Sequence, residues 1–262
     1  MVEIFFIVFI GALFRDEIAI SVQSQSSVSR WKKLGFENVY TNNNEMLKHH
    51  GNGIVFLAIK PQQLDSVMEE LSVESLHRTK ILVSIMSGIN IETLQKHASQ
   101  KGGQGTRVLR MMPTIPASLG ASASAIAAGK STPQSQVDVV AYLAECVGRS
   151  FVIAEKCFDV ATAVTGCGTA SVFTMIEALA DGGVLGGLPR STALALASQT
   201  IMGAAKMALE SDEHPAKLRD NVCSPAGITI CGVRELERHG ARSALIEAVN
   251  ASTQRSKELS QL

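Results

Sequence analysis

Asn221–Ile230 reads NVCSPAGITI, the stretch where residue types and spacing most directly offer chemistry. Ser224 followed by Pro225 predicts a helix start, with a hydroxyl at the N-cap and a proline at the first helical position, where its missing N–H costs nothing. Ala226 and Gly227 leave the first-turn N–H groups unobstructed. Those donors, with the positive end of the helix dipole, make a seat for a small anion such as a carboxylate. The same pattern begins helices that hold no ligand, so both readings stand on the local residues.

The elements that must position this seat fall into two halves. Up to about residue 130, strand-like and helix-like segments alternate. Ile18–Val22 is a short strand and Ser26–Leu34 a polar helix. Ile54–Ala58 is an apolar strand ended by Lys60-Pro61, followed by a helix over Leu64–Leu71. Ile81–Ile85 is a second apolar strand, ending at Ser87-Gly88, and Ile91–Ala98 is helical. Arg107–Met111 is a strand stopped by Pro113 and Pro116. Apolar strands alternating with helices predict an α/β fold whose parallel sheet is covered on both faces. Ligands of such sheets sit at the carboxyl ends of the strands, here Lys60-Pro61, Ser87-Gly88 and Met112-Pro113-Thr114. The apolar run Ile4–Leu13 fits a buried parallel strand better than a targeting segment. It lacks a basic flank and is too short to span a bilayer.

Past Ala154 the strands stop, and Phe158–Leu185, Arg190–Leu209 and Val233–Leu259 read as long helices. The middle one is dominated by Ala, Ser and Gly, which let helix backbones approach closely. An all-α half with little aromatic bulk predicts burial against a second copy, with a self-contained monomeric bundle as the alternative. The expected division is residues 1–153 and 154–262.

Composition narrows the function classes. The chain is 46% hydrophobic and 18% charged, with 24 residues of each sign and no basic block, which argues against nucleic acid as a partner. Its five cysteines form no CxxC pair and have no interleaved histidines, so the expectation is a reducing compartment and no metal. No membrane partner is expected. Cytoplasmic residence is expected, with mitochondrial as the alternative.

A set of longer motifs then appears in order. Leu57–Pro61 reads LAIKP, Ser84–Ile89 reads SIMSGI and Arg110–Pro116 reads RMMPTIP. Val160–Arg190 reads VATAVTGCGTASVFTMIEALADGGVLGGLPR, and Gln199–Met207 reads QTIMGAAKM before the His214–Ile230 segment. Together these resemble pyrroline-5-carboxylate reductases, from about Ile18 to the C-terminus and most densely after Asp159. The resemblance implies a Rossmann-type NADPH domain, with NADH as the alternative cofactor, and a helical domain that interlocks in a homodimer or a higher ring of dimers. It implies hydride transfer to the C=N carbon of 1-pyrroline-5-carboxylate, giving L-proline. By the same resemblance, Ser224, Ala226 and Gly227 hold the substrate carboxylate and Thr229 hydrogen-bonds the imine nitrogen. Ala58, Lys60, Pro61, Ser87, Met112 and Pro113 meet the cofactor, and Asn43 its adenosine ribose. On local grounds Lys60 reads equally as a solvated strand-end lysine, and Asn43 as part of a polar loop.

The chain also departs from that family. The family opens with a strand, then GAGNMA and a helix. Here Phe9–Ala12 gives FIGA, and Leu13-Phe14-Arg15-Asp16 leads straight to the second strand. Gly11 alone stands for a GxGxxG loop whose N–H groups normally hold the pyrophosphate, so the first glycine loop and helix are truncated. Losing those charge-assisted bonds predicts cofactor binding weaker by several kcal/mol. In the signature, the family's SGSGPAY becomes Thr165–Ser171, TGCGTAS; Asn-Thr becomes Thr114-Ile115, and a glycine becomes Ala226. The alternative function is a catalytically weak or inactive relative that acts through oligomerisation. A spliced N-terminus standing in for a full glycine loop accounts for the same break.

Overall fold

Strands β3 (Ile54–Leu57), β4 (Ile81–Ser84) and β5 (Arg107–Met112) form because their short β-branched and apolar runs are bounded by Gly, Lys-Pro and Pro, as expected. The computed structural model describes Leu13–Leu259; the expected strand Ile4–Leu13 and Gly11 lie outside the described residues, except for Leu13 itself. The chain divides into two units, one running to Gly166 and taking in the chain from Ser252, the other Cys167–Ala251.

In the first unit, β3, β4 and β5 pair parallel, with Leu57 opposite Ser84 and Ser84 opposite Arg110. The expected parallel pairing holds for these three strands, and the sheet continues with two more that the sequence does not announce. Strand β6 (Ser122–Ala128) runs antiparallel to β5, and β7 (Gly148–Val152) is parallel to β6. The connection 113–121 is too short for the crossover that a parallel neighbour needs. Pro113 and the tight turn Ile115–Leu119, closed by Gly120 at φ 67°, send the chain straight back. A separate parallel pair, β1 (Ile20–Ser21) and β2 (Val39–Tyr40), completes the strands among the described residues.

Alternation along the strands fills two cores. Ile81, Val83, Leu109, Met111 and Ile126 pack with Trp31 of α1 (Gln25–Lys33) and with Val137 and Val140 of α5 (Gln134–Glu145). Leu82, Val108 and Met112 point the other way, onto Leu64 and Met68 of α3 (Leu64–Glu70) and Leu94 of α4 (Ile91–Gln100). Each such side chain contributes roughly 1.5–3 kcal/mol on full burial. Side-chain oxygens start the helices: Ser24 accepts from the Ser27 N–H, Asn90 from Thr93, and Asn42 from Glu45 at the head of α2 (Asn43–His50).

Two long helices are broken where the sequence predicts continuity. Phe158–Leu185 is α6 (Phe158–Thr162), a π turn over Ala163–Cys167, and α7 (Gly168–Leu185). Thr162 and Thr165 bond back to the carbonyls of Phe158 and Ala161, and Gly166 and Gly168 loosen the same turn. Val233–Leu259 is divided between α10 (Ile228–Arg238) and α11 (Ala241–Leu259) by Gly240 at φ 68°, a left-handed helix end.

In the second unit α7 packs on α8 (Arg190–Glu210), and among the described residues only Ala180, Ala193 and Ala197 are buried there. Leu185, Leu196, Met202 and Ile228 stand exposed. Within Glu155–Leu185 an 18-residue window has mean hydropathy 1.3 and is only 11% buried, which is long and apolar enough to cross a membrane by length and composition.

Gly148 opens β7 at φ 153°, and a Cβ there would lie 2.1 Å from the Ser122 carbonyl oxygen. Gly148→Ala is expected to cost more than about 2 kcal/mol, because both strand backbones would have to separate. Scanning calorimetry showing an unchanged melting temperature would contradict this.

Candidate functional site

Sheet order brings the expected cofactor residues of the first unit together. Because β3, β4 and β5 are adjacent and parallel, their exit turns leave one edge side by side, at about 4.8 Å per strand. Ala58, Lys60 and Pro61 leave β3, Ser87 leaves β4, and Met112 and Pro113 leave β5. Lys60 is exposed, and its carbonyl accepts the Gln63 N–H at 2.9 Å, closing a one-turn helix that Pro61 begins. Ser87 is half-buried and precedes Gly88, whose φ of 77° turns the chain toward the Asn90 cap. Thr114, at the family's asparagine position, is turned away to other work. Its N–H donates to the Ser122 hydroxyl at 3.0 Å, and its own oxygen accepts the Ala123 N–H at 3.2 Å. That hydroxyl network pins the β5–β6 reversal.

Asn43 stands at the first turn of α2 and donates to Glu70 at 3.3 Å. It also borders a cavity of about 540 Å³ between β1 and β3, together with Ser21 and Ala58. The lining is mostly apolar, from Ile20, Trp31, Phe56 and Met68, and no Lys or Arg lines it among the described residues. Its polar groups among the described residues, Ser21, Asn43, His50 and Tyr142, are uncharged donors and acceptors beside Glu17, with no fixed cation to pair a pyrophosphate.

A dinucleotide fits the described residues at its two ends. From the end of β1 to the start of α1 the chain carries the hydroxyls of Ser21, Ser24, Ser26 and Ser27 with no acidic side chain, and the Ser24 and Ser26 oxygens share a hydrogen bond of 2.9 Å. That donor set suits a phosphorylated ribose, where an acid would select the bare 2′-hydroxyl. The three exit turns offer backbone and hydroxyl groups at the opposite end. The position of Gly11 lies outside the described residues.

In the second unit the reading of Ser224-Pro225 as N-cap and first helical residue is corrected. Ser224–Gly227 is a turn, closed by Gly227 N–H donating to the Ser224 carbonyl at 3.0 Å. Helix α10 starts at Ile228 with Gly227 as its cap. Proline at the second turn position and a left-handed residue at the third are the type II pattern, which shares its residues with a helix start. Ala226 is that left-handed residue, at φ 57°, and is the only non-glycine residue with positive φ among the described residues. The helix start, and with it the N–H groups of the first turn, therefore lies further along the chain than expected. No side chain caps α10, which leaves the first-turn N–H groups from Ile228 onward open. Thr229 lies in that first turn, half-buried, and its hydroxyl has no partner among the described residues. A Cβ at Gly227 would fall 2.2 Å from the Ser224 Oγ, which would have to rotate away, and 3.1 Å from the Ser224 carbonyl oxygen.

Comparison with known proteins follows this layout. A family model for pyrroline-5-carboxylate reductase dimerisation matches residues 155–259, and one for coenzyme F420-dependent NADP oxidoreductases matches 9–88. A pyrroline-5-carboxylate reductase of Arabidopsis thaliana is 42% identical over 86% of this chain and 78% of its own length. The structure of a pyrroline-5-carboxylate reductase from Coxiella burnetii superposes with a TM-score of 0.87 at 29% identity, covering 99% of this chain and 94% of that one. A Plasmodium falciparum pyrroline carboxylate reductase with NADP bound gives 0.82 at 28% identity, covering 98% and 94%.

Ala226→Gly should relieve the left-handed strain and stabilise the second unit by up to about 1 kcal/mol. An unchanged or lowered melting temperature would show that the turn bears no such strain.

Proposed function

This chain belongs to the pyrroline-5-carboxylate reductase family, and from that premise we propose that it reduces 1-pyrroline-5-carboxylate to L-proline with NADPH. The observation that carries the reading is the row of exit turns at Lys60-Pro61, Ser87 and Met112-Pro113 on three adjacent parallel strands. Bound there, NADPH supplies the hydride. The chain's own residues bind and orient. The Ser224–Gly227 turn and the open N–H groups at the start of α10 receive the substrate carboxylate, with the helix dipole favouring its charge. The free Thr229 hydroxyl hydrogen-bonds the ring nitrogen, fixing which face of the C=N carbon is presented. The serine hydroxyls after β1, without an acid, support NADPH over NADH.

The second unit supports a homodimer, as its family match does. Three buried alanines make too small a core to stand alone, while the exposed leucines and methionines of α7 and α8 form a face for a second copy. We assign the apolar Glu155–Leu185 run to that interface rather than to lipid, and assembly of dimers into a ring extends the same reading. Five free thiols support a reducing compartment such as the cytoplasm.

Calorimetric titration with NADPH is expected to give saturable binding below millimolar concentration. No binding by a folded dimer would overturn the reading. Thr229→Val should lower kcat by roughly 10²-fold with the dimer intact, as for other single donors at a reacting centre. Replacing Leu196 and Met202 together by Asp should convert the dimer to monomer in sedimentation.

A further inference from the structure

Arg110 lies in β5, two residues before the Met112-Pro113 turn, and is only 3% exposed. Its neighbours on the same strand face, Val108 and Met112, are the apolar residues such a position ordinarily holds. The guanidinium is stacked on the fully buried Phe158 ring, with Cζ 3.9 Å from the centroid. Glu155 stands 3.8 Å from Nη1 and Asp159 3.9 Å from Nη2. Neither is at hydrogen-bond distance, and Nε and Nη2 have no hydrogen-bond partner. Burial lowers the guanidinium pKa, and the Asp159 and Glu155 charges oppose that shift. A desolvated cation with incomplete hydrogen bonding is a poor stabiliser, since an apolar side chain would serve a core at least as well.

What the charge holds in place is more informative than its own stability. Glu155 Oε1 also accepts the N–H of Ile91, at 2.6 Å, the first residue of α4 and the anchor of the Ser87–Asn90 turn. Asp159 accepts the Ser256 hydroxyl of α11 at 2.9 Å. One guanidinium therefore sits between the exit turn of β5, the helix that follows the exit turn of β4, and the start of α6. We propose that Arg110 is a positioning residue for the cofactor, setting the separation of the Ser87 and Met112-Pro113 turns through Glu155 without touching ligand itself. This rests on the NADPH-dependent reductase reading.

The test is a double-mutant cycle on NADPH affinity, measured by calorimetry on the intact protein. Arg110→Lys keeps the charge and loses the planar fork. Glu155→Gln keeps an acceptor for Ile91 and loses the charge. Each is expected to raise the NADPH Kd about tenfold, with the double variant no weaker than the weaker single one. The KM for pyrroline-5-carboxylate should move less than twofold. Unchanged NADPH Kd in the single variants, or effects that multiply in the double one, overturns the proposal. Glu155→Gln decides alone if the lysine variant fails to fold, an unchanged Kd again overturning it. A wild-type protein that binds no NADPH removes the reductase reading itself, whereas wild-type binding with unaffected variants removes only the role of Arg110.

Discussion

In-register parallel pairing of β3, β4 and β5 sets Leu57, Ser84 and Arg110 in one row, and the three exit turns we propose for the cofactor leave the sheet within a few residues of that row. The register is enforced from both faces. Shifting β4 by one residue would exchange the environments of Leu82 and Val83, each buried in a different core. Apolar packing thereby fixes the spacing of the exit turns, Met112 itself belonging to one of the two cores. The β5–β6 reversal is held separately, by the Thr114, Ser122 and Ser124 hydroxyls.

What could be read from the sequence follows from which signals are local. Ile54–Leu57, Ile81–Ser84 and Arg107–Met112 declare themselves by short, mostly apolar runs ended by Lys-Pro, Ser-Gly and Pro, and the long family motifs by their order. Ser122–Ala128, SASAIAA, carries no such signal; its alanines and serines become a strand through pairing with β5 and burial. Strand direction is likewise invisible to composition, and only the length of the 113–121 connection hinted at the reversal. Ser224-Pro225 satisfies a helix cap and a type II turn equally, and backbone angles at Ala226 decide between them. Nothing local marks Arg110 in the sequence, because its partners Glu155 and Asp159 lie far along the chain. The polar loop read at Asn43 is instead the first turn of α2, with Asn42 as its cap.

The helical unit departs from ordinary globular behaviour in a way that composition foreshadowed. Small residues at Ala180, Gly183 and Ala193 let α7 and α8 approach closely, and little else in that unit is covered. Its stability is therefore tied to protein concentration through association, whereas the sheet unit carries its own double core.

The distribution of aromatic chromophores adds a practical consequence. Trp31, the only tryptophan, is 2% exposed in the sheet unit, edge-on to Phe36 at 5.2 Å, and both tyrosines, Tyr40 and Tyr142, belong to that unit as well. The segment Cys167–Ala251 has neither residue type and is largely helical. Intrinsic fluorescence therefore follows the sheet unit alone, and far-ultraviolet dichroism is weighted toward the helices. Divergence of the two melting curves would separate the units without a label or a cut in the chain.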